Sequence, residues 1–138
     1  MVGVFYWSGT GNTEMMANAV AEGLKAAGQD VDLKAVSQVS VEDAATYDKL
    51  ALGCADMGAE QLEEAEFEPW FTELESQLKD KQVVIFGSWG WGGEWLDSWG
   101  ERITAAGADL VGQAKAMGTP DESALDECRA LGKSLAEA

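Results

Sequence analysis

A chain of 138 residues with 46% hydrophobic side chains can bury one core without metal or disulfide staples, so a single domain spanning residues 1–138 is expected. Nine Lys and Arg against 25 Asp and Glu give a formal charge of −16, which disfavours nucleic acid and anionic membrane surfaces and suits a basic protein partner, although an acidic surface also serves solubility alone. Histidine is absent, which removes Ser–His and Cys–His nucleophilic catalysis, histidine metal sites and imidazole proton relays.

Cys54 and Cys128 have none of the spacings used for zinc or a redox dithiol and read as buried packing residues. No positively charged apolar leader opens the chain and no apolar run approaches membrane-spanning length, so a cytoplasmic location is expected.

Val2 to Trp7 reads as a buried strand, and Ser8-Gly9-Thr10-Gly11-Asn12-Thr13 links it to a helix with Met16, Val20, Leu24 and Ala27 on one face and Gly28 as a left-handed stop. Such a loop is an anion cradle: glycines let the backbone approach a ligand, hydroxyl and amide side chains donate, and the helix N-terminus adds unpaired N–H groups with about half a positive charge. Nucleotide-hydrolysing loops need Gly-x4-Gly-Lys-Ser/Thr, and this segment has neither the spacing nor the lysine. Dinucleotide binding needs a third glycine where Glu14 stands, and Asp30 and Asp32 match the ribose-binding acid only weakly.

Further strands are predicted at Val31 to Val36, Lys49 to Cys54, Gln82 to Gly87 and Leu110 to Lys115. Helical stripes run through Phe67, Trp70, Phe71, Leu74 and Leu78, with Pro69 in the first turn; through Trp95, Leu96, Trp99 and Ile103, closing near Gly107; and through Leu125, Cys128, Leu131 and Leu135 after Pro120 and Asp121. Ser37 to Tyr47 is the least legible stretch, with a turn or short helix around Val41 to Ala45. Strands separated by helices pair in parallel through right-handed crossovers, giving an α/β sandwich with helices on both faces of the sheet. Five strands suit the doubly wound order 2-1-3-4-5, whose ligand crevice lies at the carboxyl ends of strands 1 and 3. The loops Ser8 to Thr13, Ala55 to Glu64 and Ser88 to Glu94 then converge and carry the function.

In Ser88-Trp89-Gly90-Trp91-Gly92-Gly93-Glu94-Trp95, Trp95 shares a helical spacing with Trp99 and belongs to the core. Trp89 and Trp91 have no periodic role. Either they pack the loop on its own helix, or at least one lies flat against a planar aromatic ligand. Ala55-Asp56-Met57-Gly58-Ala59-Glu60 supplies a thioether, a glycine whose peptide reorients cheaply and a carboxylate acceptor; covering the other ring face is open to Met57, but a methionine near a strand end is more commonly core, and the residues alone do not favour that role. No Lys or Arg occurs from Leu50 to Leu78, where Asp56, Glu60, Glu63, Glu64, Glu66, Glu68, Glu73 and Glu75 form a negative rim. Beside a redox group, such a rim opposes an anionic reduced form and lowers its potential.

Tyr6 to Glu14, Leu52-Gly53-Cys54 with Met57-Gly58, and Phe86 to Gly92 together resemble the short-chain flavodoxins, FMN-containing electron carriers of anaerobic bacteria, over essentially the whole chain. The resemblance implies a single flavodoxin-like domain whose Ser8, Thr10, Asn12 and Thr13, with the amides of Gly9 and Gly11, hold the FMN phosphate. It implies that Met57 and Trp91 sandwich the isoalloxazine, Glu60 accepts from flavin N3–H, and the Gly58–Ala59 peptide turns its carbonyl toward N5–H in the neutral semiquinone. Ala55, Asp56, Ser88, Trp89, Gly90 and Gly92 complete the implied contact set. The implied function is low-potential one-electron transfer between semiquinone and anionic hydroquinone, substituting for ferredoxin. Implied partners are redox enzymes with basic docking surfaces: ferredoxin-type oxidoreductases, hydrogenase and NAD(P)H-flavodoxin reductase. A monomer suits such a carrier.

The chain departs from the family pattern at Ala55-Asp56, where relatives have small neutral residues, at Trp89 in place of tyrosine, at Ala59, in a loop one residue shorter before Glu94, and at Met117-Gly118-Thr119, which lacks an asparagine. One alternative is a flavodoxin-like reductase using NAD(P)H and a quinone-type acceptor, which needs an extra pocket. Another is a signalling receiver domain, in which Asp56 and Lys115 would fit the phosphorylation chemistry but Ser8 and Gly9 stand where metal-binding acids belong.

Overall fold

The computed structural model describes residues 1–9, 11–55, 63–89 and 94–138. Within them the elements run β1 (Val2–Trp7), α1 (Asn12–Ala26), β2 (Val31–Ala35), a 3₁₀ turn (Val36–Gln38), α2 (Val41–Ala44), β3 (Lys49–Cys54), α3 (Phe67–Glu75), β4 (Gln82–Trp89), α4 (Trp95–Ala105), β5 (Asp109–Met117) and α5 (Glu122–Glu137). The strands form one sheet in the order β2-β1-β3-β4-β5, every pair parallel, as expected.

Side chains alternate between two cores because successive strand residues point to opposite faces. Phe5, Leu50, Leu52, Cys54, Val83 and Ile85 face α2, α3 and α4, where Phe67, Phe71, Leu74, Trp95, Trp99 and Ile103 cover them. Val2, Val4, Ala51, Val84 and Phe86 face α1 and α5, covered by Met16, Val20, Leu24, Cys128, Leu131 and Leu135. Cover on both faces is why the central strands read as continuous apolar runs.

Several boundaries move for identifiable reasons. Val36 leaves the predicted second strand for the 3₁₀ turn, and that otherwise illegible stretch is held by burial of Val36, Val39, Val41 and Ala44 and by the Trp70 Nε1–H bond to the Val39 carbonyl, 3.0 Å. Ser40 caps α2 by accepting from the Asp43 N–H at 3.1 Å. The α3 stripe outlasts its helix: Gln77 bonds back to Leu74, closing the last turn, and Leu78 is buried beyond it. β4 and β5 run longer than predicted, because Ser88 pairs with Ala116 and Trp89 with Met117. Ser88 and Trp89 therefore belong to a strand end, not to the loop assigned to them.

Candidate FMN site

At the carboxyl end of β1 the chain turns through Ser8 and Gly9 into α1, whose N-cap is Gly11 with φ +93°, a left-handed conformation that glycine adopts without strain. Gly11 brings no side chain to cap the helix, and the first intrahelical bond is Met15 N–H to the Gly11 carbonyl. The N–H groups of Asn12, Thr13 and Glu14 precede that ladder and have no intrahelical acceptor. Ser8 Oγ accepts from the Gly11 N–H at 3.0 Å, which fixes the loop and leaves the hydroxyl proton to donate outward.

Thr13 is buried, its hydroxyl 3.3 Å from that of Ser88, and the Ser88 N–H points to Thr13 Oγ1 at 3.4 Å. Thus α1 and the end of β4 meet beside the cradle, as the predicted convergence requires. A phosphate monoester matches this donor set: unpaired helix N–H groups, a hydroxyl donor and a positive helix end. A crevice of about 160 Å³ opens beside Ser8, with Tyr6 and Glu14 in its wall. The Tyr6 hydroxyl engages Glu14, and burial first, then the Glu14 charge, holds the phenol above its usual range. A larger groove of about 670 Å³ lies between α1 and α5, lined by none of the residues of the β1–α1 loop.

Ala55, Ser8, Gly9, Gly11, Asn12, Thr13, Ser88 and Trp89 lie within the described residues. Thr10, Asp56, Met57, Gly58, Ala59, Glu60, Gly90, Trp91 and Gly92 lie outside them. Trp89 packs against the α3–α4 core, opposite in strand phase to Ser88, and Lys115 Nζ stands 5.9 Å from its ring centre. Trp95 is core, as its spacing indicates.

The acidic rim is smaller than the sequence implies. Glu63 is buried, and its carboxylate accepts from the N–H groups of Ala65 and Glu66 at 2.7 Å each and of Phe67 at 2.9 Å. Burial alone would push this carboxyl up; the three backbone bonds outweigh it and hold it below its usual range. Glu63 therefore braces the turn that leads into α3 and is not a solvent-facing charge. Glu68 and Glu75 are gripped by Arg102 of α4 at 2.8 and 3.1 Å, and the guanidinium lies over Phe71. The only sequence signal for these roles was an acid just ahead of the helix start.

Residues 4–132 match the family model described as flavodoxin. The chain is 47% identical to the flavodoxin of Megasphaera elsdenii over the whole of both chains, and 40% identical to that of Clostridium beijerinckii over 96% of this chain and 97% of the relative. A solution structure of two-electron reduced Megasphaera elsdenii flavodoxin superposes with a TM-score of 0.92, covering all of both chains. The chain belongs to the flavodoxin family, the FMN-binding electron carriers, and is an electron-transfer protein and not an enzyme. The reductase alternative is not favoured by these relatives. Among the described residues no helix is long and apolar enough to cross a membrane.

Proposed function

We propose that this chain, as one domain over residues 1–138, binds FMN non-covalently with its phosphate in the loop Ser8, Gly9, Thr10, Gly11, Asn12 and Thr13. The observation that carries the assignment is the uncapped start of α1 beside the Ser8–Gly11 hydrogen bond and the buried Thr13–Ser88 hydroxyl pair. Bound FMN supplies the capacity to take up and release electrons one at a time. Ser8 and Asn12 donate to the phosphate, together with the first-turn amides, and no cation is needed because the helix end supplies the positive potential.

Met57 and Trp91 would hold the ring of bound FMN, Glu60 would accept a hydrogen bond from it, and the Gly58–Ala59 peptide would offer it a carbonyl acceptor. Ala55, Asp56, Ser88, Trp89, Gly90 and Gly92 complete the wall. The exposed acids Glu64 and Glu66 disfavour negative charge gained by the ring and so lower the potential of the second electron.

As an electron carrier the protein works with redox partners. The net charge of −16 supports basic docking surfaces on them, as on ferredoxin-type oxidoreductases, hydrogenase or NAD(P)H-flavodoxin reductase. Such docking is weak and salt-sensitive, since exposed charges are screened beyond about 8 Å at physiological ionic strength. The protein acts in the cytoplasm as a monomer.

An anaerobic reductive titration followed by visible absorbance tests the assignment. One FMN per chain and two separated one-electron steps are expected, with inorganic phosphate competing against FMN for the apoprotein. A colourless chain that takes up no FMN would refute it.

A further inference from the structure

Trp95 opens α4, is 1% exposed, and donates its Nε1–H to the Cys54 carbonyl at 3.2 Å, linking the start of α4 to the last residue of β3. Gly87 makes room for this contact: a Cβ there would stand 2.0 Å from the Cys54 oxygen and 2.9 Å from Trp95 Cζ2. Cys54 Sγ in turn accepts from the Glu63 N–H at 3.4 Å, and Glu63 is locked by its bonds to the amides of Ala65 and Glu66 in the turn before α3 and of Phe67 at its start. Residues 56–62 lie between Ala55, next to Cys54, and Glu63, and Cys54 and Glu63 are hydrogen-bonded to each other. Residues 90–93 leave after Trp89 and rejoin at Glu94, next to Trp95. A single indole therefore ties the base of one segment to the end of the other.

We propose that Trp95 is a positioning residue for the flavin ring, its N–H bond to the Cys54 carbonyl fixing the separation of the β3 end, where one ring-enclosing segment begins, from the α4 start, where the other ends. The inference rests on the assignment of those segments to the ring. It involves the ring and not the phosphate, because among the described residues the loop between β1 and α1 shares no hydrogen bond with Trp95. By linkage, a bond that favours ring binding is itself strengthened when the ring binds. Trp99 provides a matched control: it lies one turn further along α4, is equally buried, and its Nε1 has no hydrogen-bond partner among the described residues.

Trp95→Phe keeps an aromatic ring in the core and removes the N–H. Its affinity for both FMN and riboflavin is expected to fall about threefold to tenfold, the weight of one hydrogen bond, with the affinity of the apoprotein for inorganic phosphate unchanged. Trp99→Phe should leave all three affinities as they are. In the unaltered protein, FMN should slow hydrogen exchange of the Trp95 indole N–H more than that of Trp99, a measurement that decides the matter even if Trp95→Phe does not fold. Unchanged riboflavin affinity in a folded Trp95→Phe protein, an equal loss in Trp99→Phe, or equal slowing of the two indoles would overturn the proposal. Unaltered protein that binds no FMN would instead defeat the cofactor assignment.

Discussion

The hydroxyl oxygens of Thr13 and Ser88, 75 residues apart in sequence, lie 3.3 Å apart where the first turn of α1 meets the end of β4. The Ser88 N–H also points to Thr13 Oγ1, so this one hydroxyl ties the start of α1 to the end of β4 twice. Thr13→Val conserves shape and leaves buried polar groups of Ser88 without their partner. We expect a loss of about 1–3 kcal/mol in apoprotein stability by urea unfolding. FMN affinity measured by fluorescence quenching should fall as well, and unchanged affinity would confine Thr13 to a structural role.

Glu63 holds three backbone N–H groups in the turn that leads into α3. Glu63→Ala should destabilise the protein by about 2 kcal/mol, the weight of charged hydrogen bonds. Its carboxyl sits below the ordinary range in the folded chain, so its stabilisation is complete above the unfolded value, near pH 4, and disappears as pH falls through the lower folded value. The difference in urea midpoint between wild type and Glu63→Gln should therefore be present at pH 7 and shrink below about pH 4. A difference that grows on acidification would contradict this.

What could be read before folding follows from what is local. The alternation of apolar runs and helical stripes specifies parallel pairing and crossover hand, five strands then suit the order 2-1-3-4-5, and Gly28 and Asp121 mark helix ends through chemistry contained within a few residues. The turn through Ser8 and Gly11 into α1 is legible for the same reason. Contacts that depend on tertiary proximity were not: no spacing reveals that the Trp95 N–H meets the Cys54 carbonyl, that Arg102 takes Glu68 and Glu75 out of the acidic rim, or that Glu63 points into α3. Ser88 and Trp89 resemble loop residues because glycines follow them, yet pairing with Ala116 and Met117 extends the strand.

Tyr47 donates to Asp32 at 2.6 Å, joining the turn before β3 to β2. That bond, then burial, pushes the phenol up to about 12. Its contribution to stability is fully present below the unfolded value, about 10, and is lost as pH rises through the folded one. Wild-type urea stability should fall between pH 10 and 12 by more than that of Tyr47→Phe. Parallel curves for the two proteins would show that the phenol contributes nothing to the alkaline response.

Glu64 and Glu66 are exposed acids between the β3 end and α3, whereas Glu68 and Glu75 already have Arg102 as partner. Glu64→Gln with Glu66→Gln should raise the potential of the second reduction step, on the order of 10 mV per charge at low salt. Glu68→Gln should give a smaller shift because Arg102 offsets the charge it removes. The comparison is made by potentiometric titration at two ionic strengths, and the shift should contract as salt rises. A lowered potential would contradict the electrostatic account.

Trp89 has a place in the described fold, whereas Trp91 lies outside the described residues. Trp89 closes β4 and packs on the α3–α4 core near Lys115, so its ring already has a hydrophobic partner. Trp91 is the indole of this segment assigned to the flavin. Trp91→Ala should therefore weaken FMN binding about tenfold, the loss of one stacked pair and its buried area, and raise the fluorescence of the bound flavin by removing a quencher. Trp89→Phe should chiefly lower urea stability. If Trp91→Ala leaves FMN affinity and flavin fluorescence unchanged while Trp89→Phe alters both, the stacking belongs to Trp89, and β4 must deliver its terminal side chain to the ring.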